Sequence, residues 1–591
     1  MIKFARSLAV PDADSGGRHP TDEFARGDSA LRMARLMPLE ARLYSVELNA
    51  ANAEIARGIL TYAGVDDRVT VVGTLGDGGE TIRTLKRENG LTQGSLDLVF
   101  IDQDKNAYLP DLELILDEGY KRAPPSAIDR RARLSDTLTR IEGGLMVHAP
   151  AVGPIAFARG VRSRGFLDFA GDLWREHGDV FEAHVGPRRL VFVMHPDAVE
   201  QVTVSGRQRY EKKGSYDVVR KYLIGQGLVG STGDLWRRQR KLMAPFFTPR
   251  GVATYADLVI RDSLRFAVRW EDLADEGREV DLSEEMMLIT ASIILKAMFS
   301  SETPESISQM KSAVETMITY VDTQMVPVRV PTWVPSRRNH RYFEARDLVH
   351  GSIAALIAER RAIHETEWPN DLLSRLMEAR DPDTGEAMTE TLLRDESITM
   401  FFAGHETTAR TMAAAWYVLG THPEVAARLH EELDSLLGDH APTLEELHHL
   451  PYTLQVVKEV LRLYPAAPFY ARDAIEDDQI GGFDVPSGAT IMLSPFYTHR
   501  HPDFWTDPDR FDPDRWTRDA ETTRHGHSYH PFAAGPRICI GNNFSLLESH
   551  LLLAILARRF RPRLRDGFVP HFVMRGTLSI EGGLPAVIET R

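Results

Sequence analysis

The only cysteine of the chain, Cys539, stands in the segment Phe532-Ala533-Ala534-Gly535-Pro536-Arg537-Ile538-Cys539-Ile540-Gly541. Glycines precede and follow the thiol, an arginine sits two residues before it, and an apolar run from Phe544 to Ala557 continues as a predicted helix. A thiol just before a helix N-terminus sits in a positive field that favours the thiolate, the form that binds metals and attacks electrophiles. An isolated cysteine otherwise reads as a small buried apolar residue. One thiol cannot form a disulfide within the chain, hold a four-thiolate iron–sulfur cluster or build a cysteine-based zinc finger.

A second set of reactive types lies in Ala403-Gly404-His405-Glu406-Thr407-Thr408, inside a helix predicted from about Glu390 to Leu419. A glycine in a helix interior costs ~1 kcal/mol, so this spot is either a tolerated weakness or a site. A carboxylate beside a hydroxyl can carry protons. Glu459 and Arg462 are an i, i+3 pair on a helix predicted from Pro451 to Pro465. Such pairs are common on solvated faces. Here Val456, Val457, Val460, Leu461 and Leu463 surround the pair, so it is predicted to be buried, where it needs further partners to offset desolvation. His525, His527 and His530 precede the cysteine loop and read as a solvated loop rather than a metal cluster.

The cysteine segment resembles the haem-ligand signature of the cytochrome P450 family, F-x-x-G-x-R-x-C-x-G, at every fixed position. The resemblance implies a haem whose iron is held by the Cys539 thiolate, with Phe532 packed near the sulfur and Arg537 on a haem propionate. It implies that Gly535 and Gly541 let the backbone approach the sulfur and offer N–H groups to it. The Ala403–Thr408 segment resembles the family's oxygen-activation motif, A-G-x-[DE]-T-[TS]. Small residues there would open the helix to dioxygen, Thr407 would hydrogen-bond it, and Glu406 would relay protons from solvent. Glu459-Val460-Leu461-Arg462 resembles the E-x-x-R element, and Arg515 of Phe511-Asp512-Pro513-Asp514-Arg515-Trp516 would complete its cluster. Trp236-Arg237-Arg238-Gln239-Arg240 resembles the W-x-x-x-R element, whose Trp236 and Arg240 would meet propionates. Arg472 fits a third propionate contact, and His499-Arg500 is a weaker one. The motifs fall along the chain in the order the family shows.

The activity this resemblance implies is insertion of one oxygen atom from O2 into a hydrophobic small molecule, such as a fatty acid, terpenoid or polyketide. The alternatives are a peroxide-dependent haem enzyme of the same fold, a haem protein that binds gas without catalysis, or a fusion of monooxygenase and O-methyltransferase. The intact Glu406-Thr407 pair argues against the first two. The resemblance places Phe401, Phe402, Ala466, Ala467 and Phe469 on the pocket wall, and Val326 to Pro335 at its access channel. With too few cysteines for a four-thiolate ferredoxin, and too few residues ahead of the haem domain for a flavin reductase pair, electrons are expected from a separate ferredoxin or flavodoxin with its reductase. Arg237, Arg238, Arg240 and Lys241 would form a basic docking patch near Cys539.

Composition agrees with an ordinary globular protein of more than one domain: 591 residues, 43% hydrophobic, 26% charged. The net charge of −15 argues against a nucleic-acid partner. No apolar run reaches the ~18 residues of a transmembrane helix, and no signal peptide is visible, so a cytoplasmic location is expected. From about Pro150 onward long helical patterns dominate, with short strands between them, including a strand pair from Glu182 to Met194. Thr421 to Gly438 reads as a helix opened by a Thr421–Glu424 capping box, with Val425, Leu429, Leu433 and Leu436 as its apolar face. The expected fold is mainly α with a small β region over 143–591.

Residues 1–142 read as a partial α/β Rossmann-like segment and linker. Strands are predicted at Leu43–Leu48, Arg68–Gly73 and Leu96–Asp102, helices at Ala50–Gly64 and Glu80–Asn89, and a charged helix at Ala127–Glu142. The segment from about 28 to 118 resembles part of a catechol-type O-methyltransferase. Glu47 matches its ribose-binding acid and Asp102 its first metal-binding acid. The glycine-rich loop expected before Glu47 and the later Asp-Asn metal pair are missing, so S-adenosylmethionine is not expected to bind.

Overall fold

The computed structural model describes the backbones of Ile2–Arg6, Leu43–Glu47, Val69–Gly73 and Leu98–Asp102. It further describes residues 148–591 apart from 187, 301–303, 326–329, 382–383 and 439, with backbone alone at 304–307. The chain divides into two compact units, Met1–Met146 and Val147–Arg591.

In the first unit β1 (Ile2–Arg6), β2 (Leu43–Glu47), β3 (Val69–Gly73) and β4 (Leu98–Asp102) form a sheet in the order β3-β2-β1-β4. All its pairings are parallel. The sequence pattern anticipates β2, β3 and β4 but not β1, whose five residues include Lys3 and Arg6. β1 lies between β2 and β4, and the register sets Arg6 opposite both Glu47 and Asp102. The helices expected at 50–64, 80–89 and 127–142 lie outside the described residues, as do residues 326–329 of the expected access loop.

The second unit is built on helices. Those that position the site are α1 (Gly233–Met243), α2 (Leu282–Phe299), α3 (Pro304–Met325), α4 (Glu390–Thr421), α5 (Pro423–Leu437), α6 (Pro451–Leu463) and α7 (Asn542–Arg559). A six-stranded sheet flanks them, in the order Ala151–Val152, Val180–Val185, Arg188–Val193, Thr490–Leu493, Tyr470–Ala474, Tyr210–Glu211. An antiparallel hairpin, β5 (Phe572–Arg575) and β6 (Thr577–Ile580), lies near the C-terminus. Among the described residues no helix is long and apolar enough to cross a membrane.

α4 is the axis of this unit. Thr389 caps its start, its hydroxyl accepting the Leu392 N–H at 3.2 Å. α2, buried along nearly its whole length, packs beside it. Gly404 marks the contact, because a Cβ there would lie 2.7 Å from Ile294 Cδ1 and Cγ1. The glycine of the Ala403–Thr408 segment therefore serves close packing of α4 on α2.

α5 also departs from expectation. Thr421 is the last residue of α4, where its hydroxyl donates to Tyr417 O at 2.9 Å. The Thr421–Glu424 capping box does not form, and Pro423 opens α5 without a side-chain cap. The buried face is Val425, Leu429, Leu433 and Leu437, while Leu436 is 47% exposed. The four-residue spacing continues to the end of the helix, one position beyond the predicted leucine.

A side chain at Gly404 sets helix propensity against overpacking. Alanine gains ~1 kcal/mol of propensity, and a forced contact in a filled core costs about 1–3 kcal/mol. Gly404→Val, with more bulk facing Ile294, is expected to lower the denaturation midpoint, and Ile294→Ala in the same chain to restore part of the loss. Equal stability of Gly404→Val and parent would contradict the packing account.

Candidate functional site

Backbone hydrogen bonds close the cysteine loop before any cofactor is considered. Cys539 N–H donates to Phe532 O at 2.8 Å, and Ile538 N–H to Gly535 O at 3.0 Å. Gly535 has φ +69°, and a Cβ there would run into the carbonyl oxygen of Thr203, so both conformation and space require glycine. Gly541 has no such need, since its Cβ would sit 3.9 Å from Cys539 Sγ, an ordinary contact. Its contribution is the backbone N–H that bonds the sulfur. The Cys539 side chain keeps an exposed face while protein closes round the rest of it. That burial pushes the thiol pKa up, and the Gly541 N–H, Arg240 and Lys212 pull it down.

The cations near the loop are arranged unevenly. Arg240, on α1, donates to Ile538 O at 2.9 Å, beside the sulfur. The ring of Trp236 carries the Arg537 guanidinium at 3.8 Å. Arg537 also donates to Ser231 O at 2.9 Å and pairs with Glu211 at 2.7 Å. Trp236 thus stacks on Arg537, one of these cations, and Arg240 braces the loop beside the sulfur. Arg472 is buried, and its Nη2 has no partner. Lys212, which no sequence motif marks, donates to Val229 O at 3.1 Å. Burial holds its pKa well below the usual lysine value, and the nearby Arg472 and Arg537 lower it further. Glu211 thus serves Arg537 and Lys212 as counter-charge, and Arg472 beside them keeps a buried donor to spare. This donor set fits a group with two carboxylates, and haem has two propionates.

On α4 the segment is mixed: His405, Glu406 and Thr408 are buried, and Ala403, Gly404 and Thr407 are half-buried. Thr407 Oγ1 donates to Ala403 O at 2.7 Å, one turn back. Glu406 is 3% exposed rather than open to solvent. Its Oε1 accepts the Thr577 hydroxyl at 2.8 Å and lies 3.5 Å from Arg410 Nη2, while its Oε2 has no partner. Burial raises the Glu406 pKa, against the pull of Arg410 and Thr577. The half-buried Asp322 on α3 is raised to about 6 by burial and by the charge of Glu406. His405 stacks on Phe401 at 4.8 Å, and burial lowers its pKa to about 4, so it is neutral. Thr408 approaches Ser545 on α7 at 3.4 Å, tying this helix to the one that follows the cysteine.

Glu459 and Arg462 are both 0% exposed and joined at 2.8 and 2.9 Å. Arg462 also donates to His499 O, Pro508 O and Arg510 O. Glu459 accepts the Asp512 N–H and the Trp516 indole N–H, with Arg515 Nε 3.4 Å away. The sequence points to Arg515 and misses Trp516, the better hydrogen-bond partner. These partners satisfy both buried charges.

Several expectations are corrected. Phe401 is 1% exposed, and Phe469 packs edge-on against Phe166 at 5.2 Å in an apolar cluster, so both are core rather than pocket wall. Phe402 and Ala467 are half-buried, and the buried Ala466 accepts Leu578 N–H at 2.9 Å. His499 cannot take a propionate, because its ring bonds Arg462 O and the His530 N–H, and Arg500 is held by Phe496 O. His530 is buried, not solvated. In the expected basic docking patch Arg237 pairs with Asp234, and Arg238 with Asp381 at 2.6 Å and Glu386 at 3.2 Å, while Arg240 turns to the carbonyl of Ile538.

Comparison with known proteins matches residues 147–580 to the Cytochrome P450 family model and residues 23–118 to that of O-methyltransferase. Cyclooctatin synthase of Streptomyces melanosporofaciens is 34% identical over 419 residues, 70% of this chain and 89% of its own. Cyclooctat-9-en-7-ol 5-monooxygenase of the same organism is 34% identical over 417 residues, with the same coverage of 70% and 89%. The crystal structure of the cytochrome P450DA heme domain superposes with a TM-score of 0.70 at 26% identity, covering 76% of this chain and 98% of that one.

If the cation cluster holds a dianion, removing its unpartnered donor must weaken the hold. A hydrogen bond to a charged group is worth about 1.5–3 kcal/mol, or roughly tenfold to a hundredfold in affinity. Arg472→Ala is expected to speed haem loss to excess apomyoglobin by that factor. Loss at the parent rate would contradict the assignment.

Proposed function

The chain belongs to the cytochrome P450 family of haem-thiolate monooxygenases, and on that premise we propose that it inserts one atom of O2 into a cyclic, largely hydrocarbon substrate, drawing electrons from separate proteins. The observation that carries the proposal is the closed loop that presents Cys539 beside Arg240 and Lys212, with the cation cluster adjoining it. Bound haem supplies the oxygen chemistry, its iron held by the Cys539 thiolate, which pushes electron density that favours O–O cleavage.

The chain's own residues do the rest. Gly541 N–H and Arg240 steady the sulfur as an anion. Arg472, Arg537 and Lys212 would hold the two propionates of a bound haem. The buried Glu459–Arg462 cluster keeps the segment from His499 to Trp516 fixed ahead of the cysteine loop. Glu406, buried and raised in pKa, retains a proton inside the protein at pH values where an exposed carboxylate has lost it. Thr407, the next residue, offers a hydroxyl through which that proton can pass. Phe402 and Ala467, half-buried and apolar, would give a substrate pocket an apolar lining, which selects a hydrophobic substrate. The relative named for cyclooctat-9-en-7-ol acts on a ring compound with one double bond and one hydroxyl, and this supports the cyclic class.

A ferredoxin or flavodoxin with its reductase is the proposed electron source, and the cytoplasm the proposed location. With Arg237 and Arg238 already paired, docking is not assigned to them. The front segment resembles an O-methyltransferase over residues 23–118, and no methyl transfer is proposed for it.

Proton delivery is the step to test. In the haem-loaded protein with a ferredoxin system and a cyclic hydrocarbon that gives a spin-state change, Thr407→Ala is expected to divert oxygen to peroxide. A general acid contributes about 10²–10⁴-fold, so product per oxygen consumed falls by an order of magnitude or more. Parent-like coupling in Thr407→Ala would assign proton delivery elsewhere.

A further inference from the structure

Glu406 is met from the far end of the chain. Thr577 opens β6, immediately after the turn at Gly576, and is 5% exposed. Its hydroxyl donates to Glu406 Oε1 at 2.8 Å, across 171 residues of sequence. Arg410 Nη2, one turn along α4, approaches the same oxygen at 3.5 Å. Oε2 is buried and has no partner. The two carboxyl oxygens are therefore unlike: donors converge on one, and the other faces none.

A neutral carboxylic acid has one oxygen that only accepts and one that carries hydrogen. A hydroxyl donor and a guanidinium on Oε1 make it the accepting oxygen. We propose that Thr577 is a positioning residue for proton delivery, claiming Glu406 Oε1 together with Arg410 and so leaving Oε2 as the oxygen that bears the proton. The inference rests on the relay role proposed for Glu406 and adds to it a residue and an atom. The next residue after Thr577, Leu578, donates its N–H to Ala466 O at 2.9 Å. One strand thus touches both the acid and the segment at Ala466, next to the half-buried Ala467.

The groups that face Glu406 come from three elements. Arg410 lies on its own helix, Glu315 and Asp322 on α3, and Thr577 on β6. A hydrogen bond to the charged form favours that form. Loss of the Thr577 hydroxyl must therefore move the Glu406 titration to higher pH, and restoring a hydroxyl must reverse it.

Infrared difference spectroscopy of the full-length haem-loaded protein, titrated with pH, reads this without turnover. Glu396 and Glu548, both raised to about 8 by burial, add carboxylic-acid bands of their own. Glu406→Gln identifies the band that belongs to Glu406. The expected result is that Thr577→Val shifts this C=O band, because its acceptor bond is gone, and carries its titration to higher pH. Thr577→Ser keeps both at parent values. If the valine variant does not fold, Thr577→Ala is read the same way. An unchanged band and titration in the hydroxyl-free variant would overturn the proposal while leaving the relay role standing. Parent-like coupling in Glu406→Gln would instead remove the relay role and leave the hydrogen bond intact.

Discussion

A thiolate has to be kept inside protein. Burial alone raises the Cys539 pKa and works against the ionised form. The neighbourhood works the other way, through the Gly541 N–H, Arg240 and Lys212. A bound iron then tips the balance, because a coordinated thiol is deprotonated outright. The loop is rigid for the same reason. Its backbone bonds to Phe532 O and Gly535 O and the Arg240 bond to Ile538 O hold the backbone that carries the sulfur. The unpartnered donor of Arg472 and the depressed pKa of Lys212 mark a cost that an anionic group would relieve, so site and cofactor would stabilise each other.

The same trade of burial against partners recurs on both sides of the loop. Glu459 and Arg462 are fully buried, and every charge-bearing oxygen and nitrogen finds a donor or acceptor, Trp516 among them. That cluster is closed and structural. Glu406 is buried to nearly the same degree and is left open on one oxygen. Incomplete satisfaction is expensive in a low-dielectric interior. Its presence in α4, beside Thr407 and within reach of β6, separates a residue that holds architecture from one that holds a proton.

What was legible in the sequence was local. The cysteine loop, Glu459-x-x-Arg462 and the Ala403–Thr408 segment are contiguous because their chemistry demands fixed spacing on one loop or helix turn. What was hidden was made by chain crossings. Glu211 and Lys212 meet Arg537 and Arg472 over hundreds of residues, Thr577 meets Glu406, and Ile294 explains Gly404. None of these leaves a period or a spacing to find. β1 escaped because five residues with two charges look like a tail until β2 and β4 flank it. The capping box failed because α4 ran two residues further than its pattern suggested and absorbed Thr421. The basic stripe of α1 was real in sequence, and acidic partners from Asp234, Asp381 and Glu386 pair Arg237 and Arg238 in space.

The whole site turns on Cys539 as the iron ligand. The direct measurement is the carbon-monoxide difference spectrum of the reduced, haem-loaded protein beside its Cys539→Ser variant. The parent is expected to show the long-wavelength Soret band of a thiolate-ligated haem, and the variant to lose it. A parent spectrum without that band, or one that Cys539→Ser leaves unchanged, would contradict the assignment and the chemistry that depends on it.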